Sequence, residues 1–373
     1  MRRAWLLLPV SALLLGAAPL PPQTAGVPWP TTRWAEGPPG ARVDRAGAEA
    51  ATQALLVPVG RAGVPDTRAL LVVQNGRVVW ERFADGFGPG SRFRSWSMAK
   101  GVTNGLVGIL VRQGRLSLEA PAPVPRWQAT GDPRGALTLR HLLQMTTGLD
   151  NADGGDGASS FAARILFGDL ASDTAKGAER VDLAHEPGTH WAYSTATSQI
   201  LSGIVARTVG DGREGVRAFL ERELLDPLGA KSLVLEFDPA GTPLGGGYTW
   251  ATARDWARLG LLYLRDGVWD DRRILPEGWV DFSRTVAPVE NNGTFGAHFW
   301  ITAPPKEGQF QTLRPGIEAF QMSGNAGQFV VMVPERDLVV VRLGEMHTAT
   351  WQLLNDQLGA LIQAFPTTAG ATP

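Results

Sequence analysis

The sequence predicts an α+β protein, with an antiparallel sheet flanked by helices, assembled from both ends of the chain, and a mainly helical lobe inserted between them. Two hairpin signals and the character of the intervening chain carry this prediction. Residues 69–74 and 77–83 are strand-like runs on either side of Asn75-Gly76, a pair suited to the left-handed backbone of a tight two-residue turn. Residues 329–333 and 338–343 form a second pair of apolar strands around the turn Pro334-Glu335-Arg336-Asp337. The chain between the hairpins reads mostly as helix and loop, so the hairpins join in one sheet and the middle builds the second lobe.

In chain order, the first element is Met1-Arg2-Arg3 followed by a short apolar stretch containing Leu6, Leu7, Leu8, Leu13, Leu14 and Leu15. A charged start and a short apolar core are the marks of a secretory signal, here residues 1–25, and the run is too short and Pro-broken for a membrane span. Export to a bacterial periplasm is the expected fate, with no stable membrane insertion after cleavage; an uncleaved signal acting as an anchor is the alternative. Residues 26–42, with Pro28, Pro30, Pro38 and Pro39, read as an extended Pro-rich arm over the surface. Residues 43–373 form the folded domain, with a sheet lobe at about 43–95 and 296–365 and a helical lobe at about 96–295. There is no cysteine, hence no disulfide and no lipoprotein attachment residue. A net charge of -1 with both signs interspersed argues against nucleic acid or anionic membrane as partners.

The most informative stretch is Ser97-Met98-Ala99-Lys100, because three residues on a helix bring a hydroxyl and an amine to one face. Lysine is rare in this chain: Lys100, Lys176, Lys231 and Lys306 are the four lysines among 35 Lys and Arg. A base must be able to lose its proton, which a buried lysine can do and an arginine cannot. Gly101, Val102, Gly105, Leu106, Val107, Ile109 and Leu110 continue an apolar helix that would bury Lys100 and lower the pKa of its amine. Taken alone, a serine and lysine at this spacing more often mark a solvated helix face.

Two further segments carry candidate chemistry. Glu186-Pro187-Gly188 turns the chain into Tyr193-Ser194-Thr195, and a helix over 197–209 follows, stopped by Gly210-Asp211-Gly212. The chain has three tyrosines; Tyr248 and Tyr263 are explained by packing, and Tyr193 at a helix start is the one open to a chemical role. Met322-Ser323-Gly324-Asn325-Ala326-Gly327-Gln328 precedes the late hairpin, and its small residues let a ligand approach the backbone and take an N–H there.

In this order, the three segments resemble the serine beta-lactamase and penicillin-recognising superfamily, above all its class C-like branch with esterases, D-aminopeptidases and 6-aminohexanoate-dimer hydrolases. The resemblance covers roughly residues 70–343 and extends to Leu137-Thr138-Leu139-Arg140-His141-Leu142-Leu143-Gln144-Met145-Thr146-Thr147-Gly148-Leu149-Asp150 and to Ala253-Arg254-Asp255-Trp256-Ala257-Arg258-Leu259-Gly260. It implies a beta-lactamase/transpeptidase-like fold with the site between the lobes. Ser97 would be the acylated nucleophile, Lys100 its base partner, Tyr193 the second proton-transfer residue, and the N–H groups of Ser97 and Asn325 the oxyanion hole. Thr195, Met322, Ser323 and Gly324 would bind substrate. Two departures stand out: Met322-Ser323-Gly324 replaces Lys-Thr-Gly, removing the cation that holds a beta-lactam carboxylate, and Thr195 replaces the asparagine of Tyr-x-Asn. Arg254, Arg258 and Arg342 are the arginines open to standing in for the missing lysine.

The function expected is hydrolysis of a small-molecule ester or linear amide through an acyl-enzyme, with no cofactor and no metal. Within enzymes the alternatives are a D-amino-acid peptidase or carboxypeptidase and a beta-lactamase; outside them, a non-catalytic sensor of peptidoglycan fragments. His185 and His190 are one residue too far apart for the zinc helix motif, and Pro187-Gly188 breaks the helix it needs. No Gly-x-Ser-x-Gly elbow is present. Residues 151–160, rich in Gly, Asp and Ser, read as a mobile, solvated loop, with a cleft-side loop touching substrate as the alternative, and Trp96, Trp191, Trp250 and Trp300 lie near the candidate segments, where one or two could wall an acyl pocket.

Overall fold

The computed structural model describes residues 18–56, 65–153, 160–291, 293–302, 317–346 and 350–368. The proposed signal, residues 1–25, lies largely outside them. Both hairpins form where the sequence places them. Asn75 and Gly76 take φ of 52° and 72°, the left-handed pair that a two-residue turn requires, and join the strands Asp66–Gln74 and Arg77–Phe83. The late hairpin pairs Gln328–Val333 with Leu338–Glu345, and Leu338–Glu345 lies against Asp66–Gln74 with Val340 opposite Val72. A seven-stranded sheet results, in the order Ala35–Glu36, Arg77–Phe83, Asp66–Gln74, Leu338–Glu345, Gln328–Val333, Phe320–Gly324, Trp300–Ile301.

The central strands are apolar on both faces because helices cover both. Leu70, Val72, Val331 and Val340 pack under the helices Arg45–Leu55 and Trp351–Gln363. Ala69, Leu71, Val330, Val339 and Val341 face the helices Ala99–Arg112 and Ala253–Leu264. Gly260 permits a close approach: a Cβ there would lie 2.7 Å from both Val330 and Val339. Helices from the middle of the chain thus cover the sheet, and the lobes do not divide along one stretch of sequence. Leu139–Gln144, Phe161–Phe167, Thr174–Ala178, Thr195–Val209 and Gly212–Leu220 build the helical lobe around the buried Thr195–Val209 helix, capped by the Ser194 side chain on Thr197 N.

The Pro-rich arm does more than cross the surface. Ala35–Glu36 adds a parallel strand at the sheet edge, Trp34 is 2% exposed, and Arg258 and Trp269 donate to Pro30 O and Thr31 Oγ1 at 2.8 Å. The buried Trp34 and these hydrogen bonds tie the arm down through groups that hydropathy alone reads as linker.

Candidate active site

Ser97, the candidate nucleophile, follows a short strand. Phe93–Arg94 pairs with Thr249–Ala251, Ser95 N donates to Thr249 O, and Thr249 N donates back to Ser95 Oγ. Trp96 follows at φ 46°, a left-handed conformation that is unfavourable for a bulky residue and persists because both neighbours are fixed. The chain then turns once through Trp96–Met98 into the helix Ala99–Arg112, which leaves Ser97 at the helix entrance and Lys100 one turn on.

Lys100 is 2% exposed, and its ammonium has three acceptors: Ser97 Oγ at 3.1 Å, Thr195 Oγ1 at 3.1 Å and Gly246 O at 2.8 Å. Burial lowers its pKa from 10.5 to about 8, against the raising effect of the Asp153 charge. Roughly a tenth of the amine is therefore neutral at pH 7. Nζ also lies 4.9 Å from the centroid of the Tyr193 ring. Burial and the Asp153 charge hold the Tyr193 phenol above its ordinary range, against hydrogen bonding with Ser97 and Trp300, so at neutral pH Tyr193 keeps its proton.

The third segment closes the site through its backbone. Phe320–Gly324 runs beside the Ser95–Trp96 segment, and a Cβ at Gly324 would meet Ser95 O at 2.1 Å and Trp96 Cβ at 3.2 Å, so only glycine fits. This contact brings the turn at Asn325 against the segment carrying Ser97. The turn is held from below. Arg342, fully buried, donates to Ala326 O at 3.1 Å, Gly327 O at 2.8 Å, Glu345 O at 3.1 Å and Thr67 Oγ1 at 2.9 Å. Ala326 and Gly327 are both left-handed, at φ 57° and 78°.

Ser97, Lys100, Tyr193 and Thr195 thus meet directly, and Ser323, Gly324 and Asn325 border them. Met322 does not open on the cleft: it is 1% exposed and packs against Gly101, so its side chain belongs to the floor. None of the three arginines singled out for the lost lysine serves the cleft. Arg254 pairs with Glu81 and Glu36, Arg258 with Asp255, and Arg342 sits under the Asn325 turn. Arg94 is a further cation close to the segment carrying Ser97, its guanidinium 4.1 Å from the Trp96 ring centroid.

Two aromatic groups flank Ser97. On one side Trp300 stacks on Tyr193 at 5.2 Å, with Phe295 edge-on to both and Trp191 behind. On the other, Tyr248 touches Trp96 and Phe167, each at 6.1 Å. Trp250 is turned to Glu236, to which its indole N–H donates. His185 and His190 stack on each other at 4.0 Å. Cavities of about 440 and 250 Å³ open near Trp29 and Arg265 and near Val43 and Thr367, and hold none of the candidate groups.

Two contributors escape the sequence patterns. Asp153 accepts from Thr195 N at 2.7 Å and from Thr195 Oγ1 at 2.5 Å, while its own N–H donates to Tyr193 O at 2.8 Å. It lies in the stretch read as a solvated loop, of which residues 154–159 fall outside the described residues. Gly246 supplies the third Lys100 acceptor; Cβ atoms at Gly245 and Gly246 would strike Thr103 Oγ1 at 2.2 Å and Thr195 Cγ2 at 2.9 Å. The run Gly245-Gly246-Gly247 was the available signal: consecutive glycines mark a close backbone approach.

Comparison with known proteins points the same way. A family model described as Beta-lactamase matches residues 59–345. The chain is 27% identical over 298 residues to a 6-aminohexanoate-dimer hydrolase of Paenarthrobacter ureafaciens, covering 74% of this chain and 72% of that one. Among solved structures, a penicillin-binding protein homologue from Caulobacter crescentus superposes with a TM-score of 0.63 at 17% identity, covering 88% of this chain and 99% of its own. A class C beta-lactamase from Rhodobacter sphaeroides does so with 0.59 at 19%, covering 85% and 98%. The matched stretch contains every group gathered around Lys100, from the Ser97 turn to the arginine under Asn325, and the shared fold extends beyond it, so the chain belongs to the beta-lactamase family of hydrolases.

Proposed function

We propose that the protein is a metal-independent serine hydrolase that cleaves a small ester or linear amide through an acyl-enzyme at Ser97. The observation that carries this reading is the 3.1 Å contact between Ser97 Oγ and the amine of Lys100, which burial holds near a pKa of 8. Neutral Lys100 takes the hydroxyl proton as Ser97 Oγ bonds to the substrate carbonyl carbon. The backbone N–H groups of Ser97 and Asn325 receive the negative charge developing on the carbonyl oxygen. The bond to the leaving group then breaks as Tyr193, whose phenol holds its proton at rest, passes that proton to the leaving group and takes the one held by Lys100 in its place. In the second half, water adds to the acyl carbon, its proton moves back through the same groups, and Ser97 Oγ leaves with a hydrogen restored.

A linear amide or ester fits better than a beta-lactam. The position of the carboxylate-binding lysine is occupied by Met322, buried against Gly101, and the cleft walls are aromatic. The relative from Paenarthrobacter ureafaciens is named as a hydrolase of a 6-aminohexanoate dimer, which supports the same reading. Residues 1–25 support export, which mass measurement of the mature amino terminus in a secreting host would test. The hydrolase reading is tested by fluorophosphonate labelling and nitrophenyl-ester turnover. Wild type labels and turns over; Ser97→Ala does neither while its circular dichroism is unchanged. Turnover that survives in Ser97→Ala removes the nucleophile from the mechanism, and a wild type that neither labels nor turns over any ester or amide leaves the peptidoglycan sensor as the reading.

A further inference from the structure

We propose that Asp153 is a positioning residue that forces the lone pair of neutral Lys100 to point at Ser97, acting through the hydroxyl of Thr195, a role that rests on the hydrolase reading and deepens it. A neutral amine has two N–H bonds and one lone pair, and Lys100 has three neighbours: Ser97 Oγ, Thr195 Oγ1 and Gly246 O. Gly246 O is a carbonyl and can only accept, which assigns it one N–H. The hydroxyls of Ser97 and Thr195 can each donate or accept, and the lone pair will point at whichever donates.

Asp153 removes that ambiguity. One carboxylate oxygen accepts from Thr195 N at 2.7 Å and the other from Thr195 Oγ1 at 2.5 Å. The single hydroxyl proton of Thr195 is therefore committed to the carboxylate, and toward Lys100 the oxygen can only accept. With both N–H bonds assigned, to Gly246 O and to Thr195 Oγ1, the lone pair faces the Ser97 hydroxyl. Without the carboxylate, Thr195 is free to donate to Lys100 and compete with the nucleophile for the base. The loop is fixed at a second point by Asp153 N donating to Tyr193 O at 2.8 Å, and the carboxylate sits at the positive end of the Thr195–Val209 helix.

The charged and titratable groups near Lys100 are Asp153 from the loop, Tyr193 from the turn before the helix, and His298, whose ring is held between Ser198 Oγ and Leu143 O and kept neutral by burial. Asp153 is the one anion among them, and its charge raises the Lys100 pKa. Asp153→Asn therefore separates two roles that act in opposite directions. Loss of the charge alone lowers the Lys100 pKa, moves the acid limb of kcat/KM to lower pH and makes more neutral amine available. Loss of orientation slows the reaction at every pH, because the carboxamide can donate to Thr195 Oγ1 and turn its proton onto Lys100.

The experiment measures kcat, KM and pH profiles on a neutral nitrophenyl ester for wild type, Asp153→Asn, Thr195→Val and the double variant. The expected result is an acid limb shifted to lower pH in Asp153→Asn together with a plateau kcat reduced about tenfold to a hundredfold and KM little changed. In the Thr195→Val background, which has no hydroxyl to orient, Asp153→Asn should reduce plateau kcat no further. A plateau kcat retained in Asp153→Asn, or losses that multiply in the double variant, overturns the proposal. Thermal melting of each variant accompanies the kinetics, so that a lost fold is told apart from a lost orientation. Ser97→Ala measured alongside separates the two readings: activity that survives it refutes the hydrolase mechanism itself, whereas its loss with an unaffected Asp153→Asn refutes only the role of Asp153.

Discussion

Two cations are buried beneath this cleft, and they do opposite work. Lys100 and Arg342 are 2% and 0% exposed, and neither forms a direct ion pair among the described residues. Lys100 has three oxygen acceptors, one of them the Ser97 hydroxyl. Arg342 has four, three of them backbone carbonyls: Ala326 O and Gly327 O in the Asn325 turn, and Glu345 O at the end of its own strand. The difference is chemical rather than positional. A buried ammonium relieves its desolvation by giving up a proton and becomes a base, whereas a guanidinium keeps its proton and spreads its donors over fixed acceptors, which makes it a brace. The rarity of lysine among the cations of this chain fits that division.

Exchanging the cations tests the comparison most severely. Lys100→Arg keeps the charge but supplies no base, and kcat on a nitrophenyl ester should fall about a hundredfold to ten-thousandfold, almost as far as in Lys100→Ala. Near-wild-type turnover in Lys100→Arg would mean that Lys100 acts only as a positive charge. The converse change, Arg342→Lys, cannot reach four acceptors with one compact ammonium. It should lower stability by about 1–3 kcal/mol through unsatisfied buried carbonyls and reduce kcat as the Asn325 N–H loses its support. Chemical denaturation and ester kinetics check both, and a stable, fully active Arg342→Lys ends the assignment of Arg342 as a brace.

Stability against pH sharpens the contrast. The pKa of Lys100 falls from its ordinary 10.5 to about 8 in the folded protein. Between those values the unfolded chain holds more protons than the native state, so this group makes folding more favourable as pH rises from about 8 to 10.5, and below 8 its full penalty remains. Lys100→Met, of similar length and apolar, should abolish activity yet raise stability at pH 7, by on the order of 3 kcal/mol. The same ionisation should place the acid limb of kcat/KM near pH 8 in wild type, since the proposed mechanism uses the neutral amine. Denaturation of Lys100→Met at pH 7 that shows a loss instead would mean the ammonium is better accommodated than its burial implies.

The smallest effect concerns the position beside these cations where a third is missing. With Met322 buried against Gly101, a substrate carboxylate forgoes a charge-assisted bond of about 1.5–3 kcal/mol there. A neutral short-chain ester should therefore be cleaved with kcat/KM about tenfold to a hundredfold above that for a chromogenic cephalosporin. A cephalosporin turned over at least as efficiently returns the protein to the beta-lactamases proper.

Local pattern made one layer of this protein legible from its residues. Asn75-Gly76 defined a hairpin because only a left-handed pair closes a two-residue turn. The closeness of Ser97 and Lys100 was legible because a three-residue step at a helix entrance fixes it, and the place of Tyr193 because a turn and a capped helix follow one another around it. What the tertiary structure alone decided is how such segments meet. Lys100 finds Thr195 and Gly246 at separations of 95 and 146 residues, and Arg342 reaches Thr67 across 275. Asp153 had no periodicity to betray it, since a carboxylate in a Gly-rich stretch reads as solvated until a partner is brought to it. Met322 reads as a cleft residue along the strand and becomes floor only because Gly101 lies beneath it. Hydrogen-bond spacing within one element is set by backbone geometry and is written in the order of residues, whereas the partner of a buried polar group is set by which elements pack together, and that depends on the whole chain at once.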